Sequence, residues 1–123
     1  MFENKNIKTI PGVSDEKIDL LESIIDGKLP EDYKTYLREF GLVSVEGRDL
    51  YGLGSAIYFN TYNKTKELQE KFNLRKDFVV IEDVATEGMF IMLKINGLVY
   101  EWTANGHLKE IYKSFSDFIL NDF

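Results

Sequence analysis

Residues 78–112 read FVVIEDVATEGMFIMLKINGLVYEWTANGHLKEIY, and this stretch decides the fold. Phe78-Val79-Val80-Ile81 is a short run of β-branched and aromatic residues closed by Glu82 and Asp83. Met89 to Ile95 is a second apolar run, Leu98 to Trp102 a third, and His107 to Tyr112 follows Asn105-Gly106 as a fourth. Short strands joined in sequence order by turn residues predict an antiparallel β-meander. Asn96-Gly97 stands between the second and third runs. Both residue types tolerate positive φ, so the pair predicts a two-residue type I′ turn. That turn would set Ile95 opposite Leu98, Leu93 opposite Tyr100 and Ile91 opposite Trp102 on one apolar face. The other face, with Met92/Glu101 and Lys94/Val99, is more polar. Apolar groups from elsewhere in the chain must therefore cover one side of the sheet.

Residues upstream supply the cover. Residues 1–13 read as an extended lead-in, with a turn at Pro11-Gly12. Ser14 is a good N-cap, and Asp15 and Glu16 suit the positive end of the helix that follows. Ile18, Leu21, Ile24 and Ile25 form its apolar stripe, with Gly27 as the expected stop. A second helix is predicted from Leu29-Pro30, where proline needs no N–H. Tyr33, Tyr36, Leu37 and Phe40 give it the clearest apolar face in the chain, and Gly41 is expected to end it. A two- or three-residue loop would make the two helices a packed pair. Leu42 to Tyr51, with Glu46-Gly47 inside it, reads as a hairpin or two edge strands. Gly52-Leu53-Gly54-Ser55 has neither the Lys-Ser/Thr of a P-loop nor dinucleotide-fingerprint spacing, so it predicts a bend or a close backbone approach. Asn60 to Leu74 predicts a surface helix with a thin stripe of Thr65, Leu68 and Phe72. Ser114, with Asp117 three residues on, predicts a last short helix that buries Phe115, Phe118 and Ile119. Helices first, a meander late and a helix last argue for α+β, with residues 1–123 as a single domain.

Composition narrows the function. Among 123 residues, 44% are hydrophobic, including nine Phe, seven Tyr and one Trp, which is ample for a core. With no cysteine, neither a disulfide framework nor a thiolate metal site is available. No apolar run approaches a membrane span, and the N-terminus lacks a signal-peptide pattern, so the expected location is cytoplasmic. The formal net charge is −6, from 15 basic and 21 acidic side chains. That disfavours nucleic acid and anionic membranes as partners and favours basic proteins. The charge is segregated. Thr61 to Lys76 carries five Lys/Arg against two Glu, whereas Asp77 to Glu101 carries five acids against Lys94 alone.

Catalytic signals are weak. His107 is the one histidine, without ligand spacing or an identifiable nucleophile around it. Asp15-Glu16 and Glu31-Asp32 sit at predicted helix N-termini, where the dipole accounts for them. Glu82-Asp83 ends a strand in an acidic region reaching Glu87; it suits a cation, a basic partner or plain solvated charge. Tyr58, Phe59 and Tyr62 form an aromatic cluster that suits either core packing or a contact patch. No catalytic residue, cofactor or metal is expected.

Taken in order, these features resemble the SUKH superfamily, a bacterial immunity-protein domain shared with a yeast cell-wall-assembly regulator. The resemblance runs from Ile10 to Leu120. It rests on Pro11-Gly12-Val13-Ser14 with Ile18 and Leu21-Glu22, then Leu29-Pro30-Glu31-Asp32-Tyr33 with Tyr36-Leu37. It continues through Leu50-Tyr51-Gly52, Val80-Ile81, Gly97-Leu98-Val99-Tyr100-Glu101-Trp102 and Ser114-Phe115-Ser116-Asp117-Phe118-Ile119. Gly54 to Lys76 fits only loosely. The resemblance implies a SUKH-like α+β fold: an antiparallel meander against an N-terminal helix pair, with a surface helix and a short C-terminal helix. It also implies a non-catalytic protein that binds and neutralises a cognate toxin, often a nuclease. A regulatory scaffold domain without a toxin is the alternative, and a small hydrolase using Glu82, Asp83 or Glu101 is a third reading. Charge and predicted loop exposure select Glu46, Asp49, Glu82, Asp83, Glu87 and Glu101 as partner contacts, with Tyr58 and Tyr62 as aromatic anchors.

Overall fold

A computed structural model describes residues 6–54, 60–84 and 88–123 of the chain. A short sheet comes first, formed by β1 (Ile7–Pro11), β2 (Phe40–Val45) and β3 (Arg48–Tyr51), antiparallel in the order β1-β2-β3. Helices α1 (Asp15–Glu22) and α2 (Glu31–Glu39) are inserted between its first two strands. Helix α3 (Thr61–Phe72) then leads to the meander of β4 (Phe78–Asp83), β5 (Met89–Lys94), β6 (Val99–Thr103) and β7 (Leu108–Tyr112), paired in sequence order. Helix α4 (Phe115–Asp122) closes the chain. The fold is α+β, with a meander and helices where the sequence puts them.

The meander is apolar on both faces. Val79, Ile81, Ile91, Leu93 and Val99 join the main core with Ile18 and Leu21 of α1, Tyr33 and Leu37 of α2, Leu50 of β3, and Phe115 and Phe118 of α4. Phe78, Val80 and Met92 point the other way, onto Leu68 of α3 and Tyr51. This explains the unbroken run Phe78 to Ile81, since a strand covered on both sides has no need to alternate.

The register of the central hairpin departs from expectation by one residue. Leu93 pairs with Val99, Met92 with Tyr100, Ile91 with Glu101 and Phe90 with Trp102. Only Gly97 takes positive φ (100°), and its N–H bonds to the Lys94 carbonyl at 2.9 Å. The connection is therefore an ordinary turn over Lys94–Gly97 with glycine in the left-handed position, the longer hairpin loop rather than type I′. The Asn96 side chain accepts from Leu98 N–H instead of adopting positive φ. A one-residue slip moves side chains to the opposite face, so Tyr100 and Trp102 lie with Met92, away from Ile91 and Leu93. A turn with two positive φ values does occur, at Glu46 (50°) and Gly47 (85°), joining β2 to β3.

Other boundaries also move. The lead-in contains β1, which forms an edge of the short sheet. Helix α1 stops at Glu22, and its connection to α2 runs from Ser23 to Pro30. Glu22 organises that longer loop: its carboxylate accepts from Leu29 N–H at 2.7 Å and meets Lys34 Nζ at 3.1 Å. Burial acts against the charged form, but the Leu29 amide and Lys34 outweigh it and hold the carboxyl below its ordinary pKa. Phe40, not Gly41, ends α2 by turning extended. Gly41 lies within β2, where an added Cβ would stand 2.5 Å from the Pro11 carbonyl oxygen and 2.6 Å from Gly54 Cα. The expected close approach at Gly52 and Gly54 is thus made against Gly41.

Buried hydroxyls fix α3 to the body. Tyr33 Oη donates to the Tyr51 carbonyl at 2.9 Å and is 2.7 Å from Thr61 Oγ1. Thr65 Oγ1 accepts from Val80 N–H at 2.9 Å. Asn60 caps the helix by accepting from Tyr62 and Asn63 N–H, and Asn73 ends it with left-handed backbone.

Candidate functional site

The two sheets meet where Arg48 of β3 reaches Glu82 of β4. Arg48 donates from Nε and Nη2 to the two Glu82 carboxylate oxygens at 2.9 and 2.8 Å, a bidentate pair. Its Nη1 reaches Asp122 Oδ1 at 2.9 Å and the Asp122 carbonyl at 2.7 Å, and the guanidinium lies 4.1 Å from the centre of the Phe123 ring. The hydrogen bond to Glu82 leads the causes that raise the guanidinium pKa, so the cation is permanent. Glu82 itself is only 3% exposed. It was expected on an exposed strand end; the structure makes it the inner member of an ion-pair latch.

Several other acids gather nearby. Burial raises the Tyr51 phenol pKa, and the fields of Asp83, Asp49, Glu82 and Glu67 raise it further. Asp83 is exposed and Asp49 half-buried. Glu46 is exposed on the β2–β3 turn. Glu101 stands apart, two strands from Glu82 by register and 3.4 Å from His107 Nε2. Tyr62, in the first turn of α3, lines a cleft of about 500 Å3 with Lys17, Leu20 and Leu53. Tyr58 and Glu87 lie outside the described residues. Asp49, Glu82 and Asp83 are therefore brought together, whereas Glu101 is not.

The outer face of the meander carries a feature that charge did not reveal. Asp83, Phe90, Trp102 and Leu108 occupy one cross-strand row over β4 to β7. The Phe90 and Trp102 rings lie 6.1 Å apart, and Phe72 of α3 stands 6.3 Å from Trp102 edge to face. Helix α3 packs on β4. Phe72 is 51% and Leu108 44% exposed. Lys64 lies 5.8 Å over the Phe90 ring, and Lys64 and Lys71 share Glu67 at 3.0 and 3.6 Å. The expected register hid this row by assigning Trp102 to the inner face. The available signal was Phe72, a large apolar residue at the C-terminal end of the thin α3 stripe, 51% exposed where Thr65 and Leu68 are buried.

Among the described residues, no three His, Cys, Asp or Glu side chains are grouped to hold a metal ion, and no helix is long and apolar enough to cross a membrane. The model of the family SUKH_5, described as SMI1-KNR4 cell-wall, matches residues 3–123. A comparison with curated proteins found no match.

Proposed function

Because this chain belongs to the SUKH_5 family, we propose that it is a non-catalytic immunity protein that binds and neutralises a cognate bacterial toxin in the cytoplasm. The observation that carries this reading is the family match over residues 3–123. The net charge of −6 supports a toxin with a basic surface, such as a nuclease whose cleft attracts phosphates. Glu46, Asp49, Asp83 and Glu101 are the carboxylates assigned to steering, since opposite charge on two surfaces speeds their encounter. Glu82 acts indirectly, by fixing Arg48 and with it the seam between the sheets.

The family's cell-wall description favours a second reading, a regulatory domain that binds a protein other than a toxin. Co-expression separates the two. The chain should rescue cells from the toxic product of the gene immediately upstream and co-purify with it. Continued killing and no complex, with a neighbour verified as toxic, would move the assignment to the regulatory reading.

A further inference from the structure

We infer that the partner docks on the outer face of the meander, with Phe72, Phe90, Trp102 and Leu108 as the apolar anchor and Asp83 and Asp49 as an acidic rim. This rests on the toxin-binding reading and assigns its surface.

Aromatic side chains that are partly exposed and held by one another suit a binding centre, because little conformational freedom is lost when a partner covers them. Trp102 has Phe90 on one side and Phe72 on the other. Leu108 extends the same row to β7, the last strand of the meander. The apolar groups come from three strands and one helix and adjoin one another, so they form a continuous patch rather than scattered apolar groups.

The acidic side chain at the head of the row and the net charge of −6 favour a protein with a basic surface as the occupant. Asp83 stands directly opposite Phe90 at the head of the row. The α3 lysines beside the row, Lys64 and Lys71, are both drawn to Glu67, which moderates their field.

Calorimetric titration against the purified product of the upstream gene tests the assignment. Trp102→Ala and Leu108→Asp should each weaken binding at least about 30-fold, the mark of a hot spot. Asp83→Lys should slow association about tenfold and flatten its salt dependence. Leu120→Asp, at a 73% exposed position on α4, should bind as the unaltered chain does. Thermal unfolding checks each variant, and Leu108→Asp alters an exposed side chain that the fold can spare. If the unaltered chain binds and Trp102→Ala and Leu108→Asp bind equally well, the surface assignment is wrong while the toxin reading stands. Failure of the unaltered chain to bind removes the toxin reading and this surface with it. A dimer in light scattering that Leu108→Asp converts to monomer would also overturn the proposal.

Discussion

Replacing Tyr33 with Phe tests the hydroxyl junction that holds α2, β3 and α3 together. The side chain has no solvent exposure, and its hydroxyl serves both the Tyr51 carbonyl at 2.9 Å and Thr61 Oγ1 at 2.7 Å. Phe fills nearly the same volume, so the packing against Phe115, 4.9 Å between ring centres, should survive. What is lost is two hydrogen bonds, with a buried carbonyl left short of a donor. Each net bond contributes about 1 kcal/mol, and an unsatisfied buried group costs about 1–3 kcal/mol, so a loss of about 2–3 kcal/mol is expected. For a chain of this size that corresponds to roughly 8–12 °C in Tm. Tyr36→Phe is the internal comparison. Its hydroxyl donates to the Leu50 carbonyl at 2.7 Å and accepts from the Val43 backbone, so its removal should cost a similar amount. Guanidinium denaturation followed by the fluorescence of Trp102 gives both values, with unchanged slopes as the check that the transitions are comparable. A Tyr33→Phe loss below about 1 kcal/mol would refute the claim that this hydroxyl joins three elements.

Further perturbations follow from the fold. Glu22→Gln should cost about 1–2 kcal/mol at neutral pH. Because the folded pKa is depressed, the carboxylate's contribution is present above its unfolded pKa and fades as pH falls through the folded value. The gap between the two proteins should therefore close below about pH 4 in pH-dependent denaturation. Arg48→Ala leaves Glu82 buried without its partner and should lose about 2–4 kcal/mol, whereas the double replacement Arg48→Met with Glu82→Leu should recover most of that. Equal losses in the single and double variants would exclude a desolvated pair. Gly41→Ala drives a methyl group into Pro11 and Gly54 backbone and should cost more than about 3 kcal/mol. Gly47→Ala meets no atoms but sits at φ 85°, so thermal melts should show only about 1 kcal/mol.

Sequence order and periodicity exposed most of the architecture because those signals are local. The Tyr33-Tyr36-Leu37 face, the Ser114 cap and the run Phe78 to Ile81 each follow from neighbouring residues, and each takes its expected place. Strand β1 was harder to see: its partner β2 lies beyond two helices, and pairing across that distance leaves no local pattern. The hairpin at Asn96-Gly97 shows a different limit. The dipeptide suits more than one loop, and the loop adopted is the one whose register gives the inner face Leu93 and Val99 together. The same limit concealed the candidate surface, since the face occupied by Trp102 depends on that register. Charge selected Glu82 as an exposed partner contact, but it could not tell an exposed carboxylate from one enclosed by Arg48.

The central claim is that this chain neutralises a toxin by binding it. Its most direct test is titration of the purified chain into the purified catalytic domain of the upstream gene product while the toxin's own activity is followed. The account predicts that activity falls in proportion to added chain and is abolished near equimolar ratio. Full toxin activity in an excess of folded chain would contradict it.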